Sequence, residues 1–106
     1  MQNKIHIELA YKGKSCLPCV YMEEAIMEIL PAYDRQVTYR RLDIQSQEGK
    51  QRFLALSCAL FGEQGVYKHH RLAPIPALFI DGDLLFDAIP SRDELEGVIT
   101  EKLSEA

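Results

Sequence analysis

The stretch Ile5-His6-Ile7-Glu8-Leu9-Ala10-Tyr11-Lys12-Gly13-Lys14-Ser15-Cys16-Leu17-Pro18-Cys19-Val20-Tyr21-Met22 changes its period half-way along. Ile5, Ile7 and Leu9 alternate with His6 and Glu8, a period of two that predicts a strand over about residues 4–11. Lys12-Gly13-Lys14-Ser15 breaks the alternation. Beyond it Met22, Ala25, Ile26, Ile29 and Leu30 recur at helical spacing, with Glu23, Glu24 and Glu28 on the other, solvated face. This helix is expected to start near Cys16. Pro18 suits its first turn, whose N–H groups have no helical acceptor. Pro31 marks its end or a late kink. Cys16 and Cys19 therefore stand where a strand hands over to a helix.

Val37 to Ile44 reads as a second strand, with Val37, Tyr39, Arg41 and Asp43 on one parity. Ser46 is a plausible N-cap for a second helix carrying Phe53, Leu54, Leu56, Cys58, Leu60 and Phe61. The apolar set nearly encircles that helix, so it is expected to be well buried. Gly62 and Gly65 blur its end, which is expected as late as His69. Ala73-Pro74-Ile75-Pro76 is stiff and non-helical, Ala77–Ile80 is a short apolar strand, and Asp81-Gly82 is a hairpin signal leading into Leu84-Leu85-Phe86. Ser91 and Glu94 have capping-box spacing ahead of Leu95, Val98, Ile99 and Leu103. The order β-α-β-α-β-β-α predicts an α/β fold. Its first two strands are parallel through a right-handed crossover, and its last two form a hairpin. The sheet is mixed and four-stranded, flanked by helices on both faces.

One domain over residues 1–106 accounts for the whole length, and 47% apolar residues suffice for a core without cross-links. Twelve basic against 16 acidic residues leave a net charge of −4, which argues against nucleic acid or an anionic membrane as partner. No apolar run nears the roughly 20 residues of a membrane span. Met1 to Leu9 lacks the continuous apolar run of a signal peptide, so the expected location is the cytoplasm.

Three cysteines are too few for a secreted disulfide framework, and the count is odd. A close pair opening a helix points instead to redox chemistry or metal binding. The thiolate is the reactive species, and a helix N-terminus stabilises it through free N–H groups and partial positive charge. Cys16, in the exposed first turn, is assigned as the attacking thiolate. Cys19, three residues on, is assigned as the thiol that resolves the mixed disulfide. Lys12 and Lys14 precede the pair; they either lower the pKa of Cys16 or belong to a solvated loop.

Ser15-Cys16-Leu17-Pro18-Cys19 at a helix start, Ile75-Pro76-Ala77-Leu78-Phe79-Ile80-Asp81-Gly82 further on, and a closing helix from Ser91-Arg92-Asp93-Glu94-Leu95 together resemble the thioredoxin superfamily. The match in element order covers most of the chain and looks closest to the small thioredoxin-like and glutaredoxin-like redox proteins. The resemblance implies a thiol–disulfide oxidoreductase that reduces or exchanges protein disulfides through Cys16 and Cys19. No cofactor is implied beyond that redox-active disulfide. It implies a cis proline at Pro76, beside a substrate groove formed with Ile75, Leu17 and Pro18. Pro74 and Pro90 are expected trans. The implied partners are a disulfide-containing protein and, as electron donor, a thioredoxin-type reductase or glutathione.

The departures from the family pattern are specific. Thioredoxins have W-C-G-P-C, whereas Ser15 and Leu17 stand here, and the chain has no Trp. The family's buried Asp, six residues before the first cysteine, falls on Ala10. Glu8 shares that strand parity and either substitutes for the acid or is a strand-surface carboxylate. Arg41 falls near a lysine that neighbours the acid in the family, and is otherwise a solvent-facing strand residue. Pro74-Ile75-Pro76 and Asp87–Ser91 do not reproduce the glutathione-binding stretches of glutaredoxins. Residues 45–75 form a longer connection to Pro76 than thioredoxin needs, so a longer helix or an added loop is expected beside the site.

The alternative is a non-catalytic thioredoxin-fold binding module, or a dithiol that holds metal with His69 and His70. Adjacent histidines point apart on most backbones, and no second C-x-x-C supports a structural zinc, so no metal ligand is assigned. Cys58, in an apolar helix, is expected to be a buried, inert thiol.

Overall fold

β1 (Ile5–Tyr11) is the strand on which everything else is hung. The computed structural model describes residues 4–33 and 35–105; Met1 to Asn3, part of the N-terminal stretch read above, lie outside them. β1 pairs in parallel with β2 (Val37–Asp43), from Ile5 opposite Val37 to Tyr11 opposite Asp43. On its other side it runs antiparallel to β3 (Ala77–Ile80), with Ala10 opposite Ala77 and Ile7 opposite Ile80. β4 (Asp83–Phe86) pairs with β3 at the far edge, and the order across the sheet is β2-β1-β3-β4. Asp81 and Gly82 both have positive φ, 50° and 88°, the geometry of a tight primed hairpin turn.

The alternation of β1 divides the core in two. Ile5, Ile7, Leu9 and Tyr11 point to one face, where they meet Cys19, Met22, Ile26 and Ile29 of α1 (Leu17–Ile29) and Leu95 and Ile99 of α3 (Arg92–Glu105). Ala10 points to the other, with Leu42, Ala77 and Phe79, against Phe53 and Leu56 of α2 (Gln47–Tyr67). Each fully buried Leu, Ile or Phe in these layers contributes roughly 1.5–3 kcal/mol.

The helix ends follow local chemistry. Cys16 is the N-cap residue of α1, and Pro18 sits in the first turn. Pro31 lies in a 3-10 turn, Leu30–Tyr33, that closes α1. The Ser46 side chain accepts the Gly49 N–H at 3.0 Å to cap α2. At α3 the capping box forms in both directions: Ser91 Oγ accepts the Glu94 N–H at 3.1 Å, and Ser91 N–H donates to Glu94 Oε1 at 3.0 Å.

α2 corrects the sequence reading. Phe53 and Leu56 are buried, but Leu54 and Cys58 are only half-buried, and Leu60 and Phe61 are 39% and 38% exposed. One face of one sheet can cover only one stripe of a helix. Gly62 (φ 77°, ψ 161°) then kinks the helix immediately after Phe61, and the last turns run to Tyr67 rather than His69. Phe61 is met by the Arg71 guanidinium, 5.9 Å from its ring centre. Among the described residues no helix is long and apolar enough to cross a membrane.

Candidate active site

The loop that leaves β1 at Tyr11 turns directly into α1, so the dithiol sits at the C-terminal end of β1. Cys16 N–H donates to the Gly13 carbonyl at 3.0 Å, which closes the turn and sets Cys16 at the helix N-terminus. Cys16 and Cys19 are joined as a disulfide, with Cα atoms 5.3 Å apart. The two sulfurs are not equivalent. Cys16 is half-buried and borders solvent, whereas Cys19 has no exposed surface and packs among Tyr11, Met22 and their neighbours. The Lys12 N–H donates to Cys19 Sγ at 3.4 Å.

Antiparallel pairing brings a second segment to the same end of the sheet. Ala77 lies opposite Ala10, so Pro76 and Ile75 stand beside the start of the dithiol loop. The Ile75–Pro76 peptide bond is cis. Pro76 is buried and Ile75 half-buried, in contact with both core layers. Leu17, 58% exposed, and Pro18 lie on the outer side of the pair. The side chains of Lys12 and Lys14 are exposed.

Glu8 is not at this site. It is only 7% exposed, and its two oxygens accept from Arg52 Nε and an Arg52 terminal nitrogen, both at 2.8 Å. Its parity turns it toward α2, the face opposite the one Cys19 packs on. Its carboxylate holds the Arg52 guanidinium above its ordinary pKa. Glu8 and Arg52 also line a cleft of about 550 Å³ near the start of β1, with His6, Thr38, Arg40 and Asp81, at the far end of the sheet from the sulfurs. His6 Nδ1 and Thr38 Oγ1 are hydrogen-bonded there.

Arg41 does lie on the Cys19 face, and it is not free in solvent. It bonds Glu23 Oε1 at 3.2 Å and Asp43 Oδ1 at 3.3 Å, and its guanidinium lies over the Tyr11 ring at 4.6 Å. Desolvation opposes its charge, but the two carboxylates prevail and raise its pKa. Glu23, expected on the solvated face of α1, is instead half-buried and also accepts from the Tyr39 hydroxyl at 2.7 Å. Burial, reinforced by the Glu23 carboxylate, pushes the Tyr39 phenol well above its ordinary pKa. Sequence reasoning missed Glu23, Tyr39 and Tyr11. The available signal was that Glu23 follows Cys19 by four residues, one helical turn, while Tyr39 and Arg41 share a strand parity.

His69 and His70 are exposed beyond the end of α2. Among the described residues no group of three or more His, Cys, Asp or Glu side chains is arranged to hold a metal ion.

Solved structures with the same architecture decide the fold. A malarial protein superposes with TM-score 0.63 at 14% identity, covering 95% of this chain and 99% of its own. Thioredoxin-2, a component of malaria parasite protein secretion machinery, gives 0.61 at 15% identity, covering 95% and 85%. The oxidised thioredoxin of Plasmodium falciparum gives 0.54 at 12% identity, covering 95% and 83%.

This chain has the thioredoxin fold.

No family model and no curated protein sequence matches it. In this thioredoxin-fold protein the close cysteine pair occupies a strand-to-helix junction.

Proposed function

We propose that the protein is a thiol–disulfide oxidoreductase acting on disulfides of other proteins. The observation that carries this reading is the unequal burial of two joined cysteines at a helix N-terminus. In the reduced protein the Cys16 thiolate attacks one sulfur of a substrate disulfide. A Cys16–substrate bond forms, and the other substrate sulfur leaves with the electron pair and takes up a proton. Cys19, having given up its proton, then attacks Cys16. The Cys16–Cys19 bond forms and the second substrate thiol departs, so the substrate gains the two electrons and two protons that the dithiol loses.

Pro76 and Ile75, with Leu17 and Pro18, supply the proposed substrate groove, with the Ile75 main chain as the edge for an extended peptide. Electrons return from a thioredoxin-type reductase or from glutathione, and the disulfide itself is the only redox group needed. A reducing compartment such as the cytoplasm is the setting in which this direction runs.

Insulin reduction with a dithiol donor tests the reading. Wild-type protein turns over; Cys16→Ser abolishes turnover with the fold intact; Cys19→Ser accumulates a mixed disulfide on Cys16. A wild-type protein that shows no two-electron transition in thiol buffers overturns the reading in favour of a non-catalytic binding module.

A further inference from the structure

The buried thiol faces a problem that its own surroundings pose. Cys19 must lose a proton to resolve a mixed disulfide, yet it has no exposed surface, and burial in apolar surroundings disfavours a thiolate. Among the described residues no carboxylate or amine side chain is bonded to its sulfur. Ala10 stands on the opposite face of β1, and the Glu8 carboxylate is taken by Arg52. The polar group directed at the sulfur is the main-chain N–H of Lys12. A hydrogen bond to the charged form favours that form, and it strengthens when the acceptor becomes an anion.

What holds that amide in place is visible. Lys12 follows Tyr11, the last residue of β1. The Tyr11 carbonyl accepts the Ile44 N–H at 3.1 Å, and the Tyr11 ring is covered by Arg41. Arg41 is gripped from two elements, by Glu23 of α1 and Asp43 of β2. Glu23 is steadied in turn by the Tyr39 hydroxyl. The same helical turn that begins at Cys19 thus ends in the carboxylate that anchors the stack.

We propose that Glu23 and Arg41 are positioning residues for the proposed redox reaction: by clamping Tyr11 they hold the Lys12 N–H on Cys19 Sγ and so stabilise the Cys19 thiolate that resolves the mixed disulfide. The proposal rests on the oxidoreductase reading above. It separates geometry from charge, because a lysine at position 41 keeps the cation but loses the planar fork that bonds two carboxylates while lying over a ring.

The test begins with wild-type protein equilibrated in glutathione buffers, since a missing two-electron transition defeats the oxidoreductase reading itself. With that transition present, a mixed disulfide between Cys16 and a small aromatic thiol is formed, and release of the thiol by Cys19 is followed against pH. Arg41→Lys, Arg41→Gln and Glu23→Gln are each expected to slow release about three- to tenfold at pH 7 and to move its pH profile upward. Exchange of the Lys12 amide hydrogen should quicken in the same variants, while amides within β1 and β3 stay protected. An Arg41→Lys profile identical to wild type, with Arg41→Gln shifted, overturns positioning in favour of simple charge. Unchanged profiles in all three overturn the proposal outright. If Arg41→Gln fails to fold, Arg41→Lys and Glu23→Gln carry the same test.

Discussion

Glu8 and Arg52 show how much a single side chain can depend on a distant one. Glu8 stands in the middle of the central strand, and its partner comes from α2, 44 residues away. With both oxygens bonded, the buried carboxylate is tolerated; unpaired, it is costly. Arg52→Ala is therefore expected to destabilise the protein by about 1–3 kcal/mol, measured by urea unfolding. Glu8→Leu combined with Arg52→Leu should recover most of that loss, because both polar groups then go together. The Glu8–Arg52 pair was not legible in the sequence, and of the Glu23–Tyr39–Arg41 group only the spacing within each element was, since nothing in local spacing says which strand a helix will lie across. The cysteines were legible for the opposite reason. Their relation to each other is set within one helical turn, and their relation to β1 by the short loop between them.

The elements themselves announced their ends. The Asp81-Gly82 turn, the Ser46 cap and the Ser91–Glu94 box all sit where their residue types require, because each depends on backbone groups only a few positions away. Glu94 carries a pH consequence. Its hydrogen bonds from the Ser91 backbone and side chain hold its carboxyl below the ordinary value of 4.5. A carboxyl depressed in the folded state adds stability that is present above the unfolded pKa and lost as pH falls through the folded one. Glu94→Gln should remove that part of the acid sensitivity, so melting curves of wild type and variant should converge at low pH. The glycines of α2 make a second contrast. Gly62 has a backbone that side chains scarcely adopt, but open space around it, so Gly62→Ala is expected to cost about 1–3 kcal/mol from the backbone alone. A Cβ on Gly49 would lie 2.1 Å from the Asp43 carbonyl oxygen, so Gly49→Ala must displace the start of α2 from β2. Chemical denaturation should rank Gly49→Ala the more damaging. In the sequence Gly62 only blurs the end of the helix, and Gly49 carries no signal of its own. The kink was hidden because a helical apolar pattern continues up to Phe61 whether or not the sheet extends far enough to cover it.

At the scale of the whole molecule, β1 belongs to both core layers and ends in the loop that carries the cysteine pair, so the state of the dithiol and the stability of the fold are linked. The disulfide closes only a short loop, and chain entropy alone makes the oxidised form more stable by about 2 kcal/mol. Thermal melts of the oxidised and reduced protein should show the oxidised form melting higher; equal midpoints would mean that the reduced form gains a compensating interaction. The unequal burial of the two sulfurs has one more consequence. A disulfide offers an incoming nucleophile two electrophilic centres, and in a symmetric small molecule the choice is arbitrary. Here one centre is walled off by the packing of β1 against α1, and the other borders solvent. On the proposed chemistry the fold acts as a regiochemical filter: adducts would form at Cys16, with Cys19 as the internal leaving group that springs the trap open again.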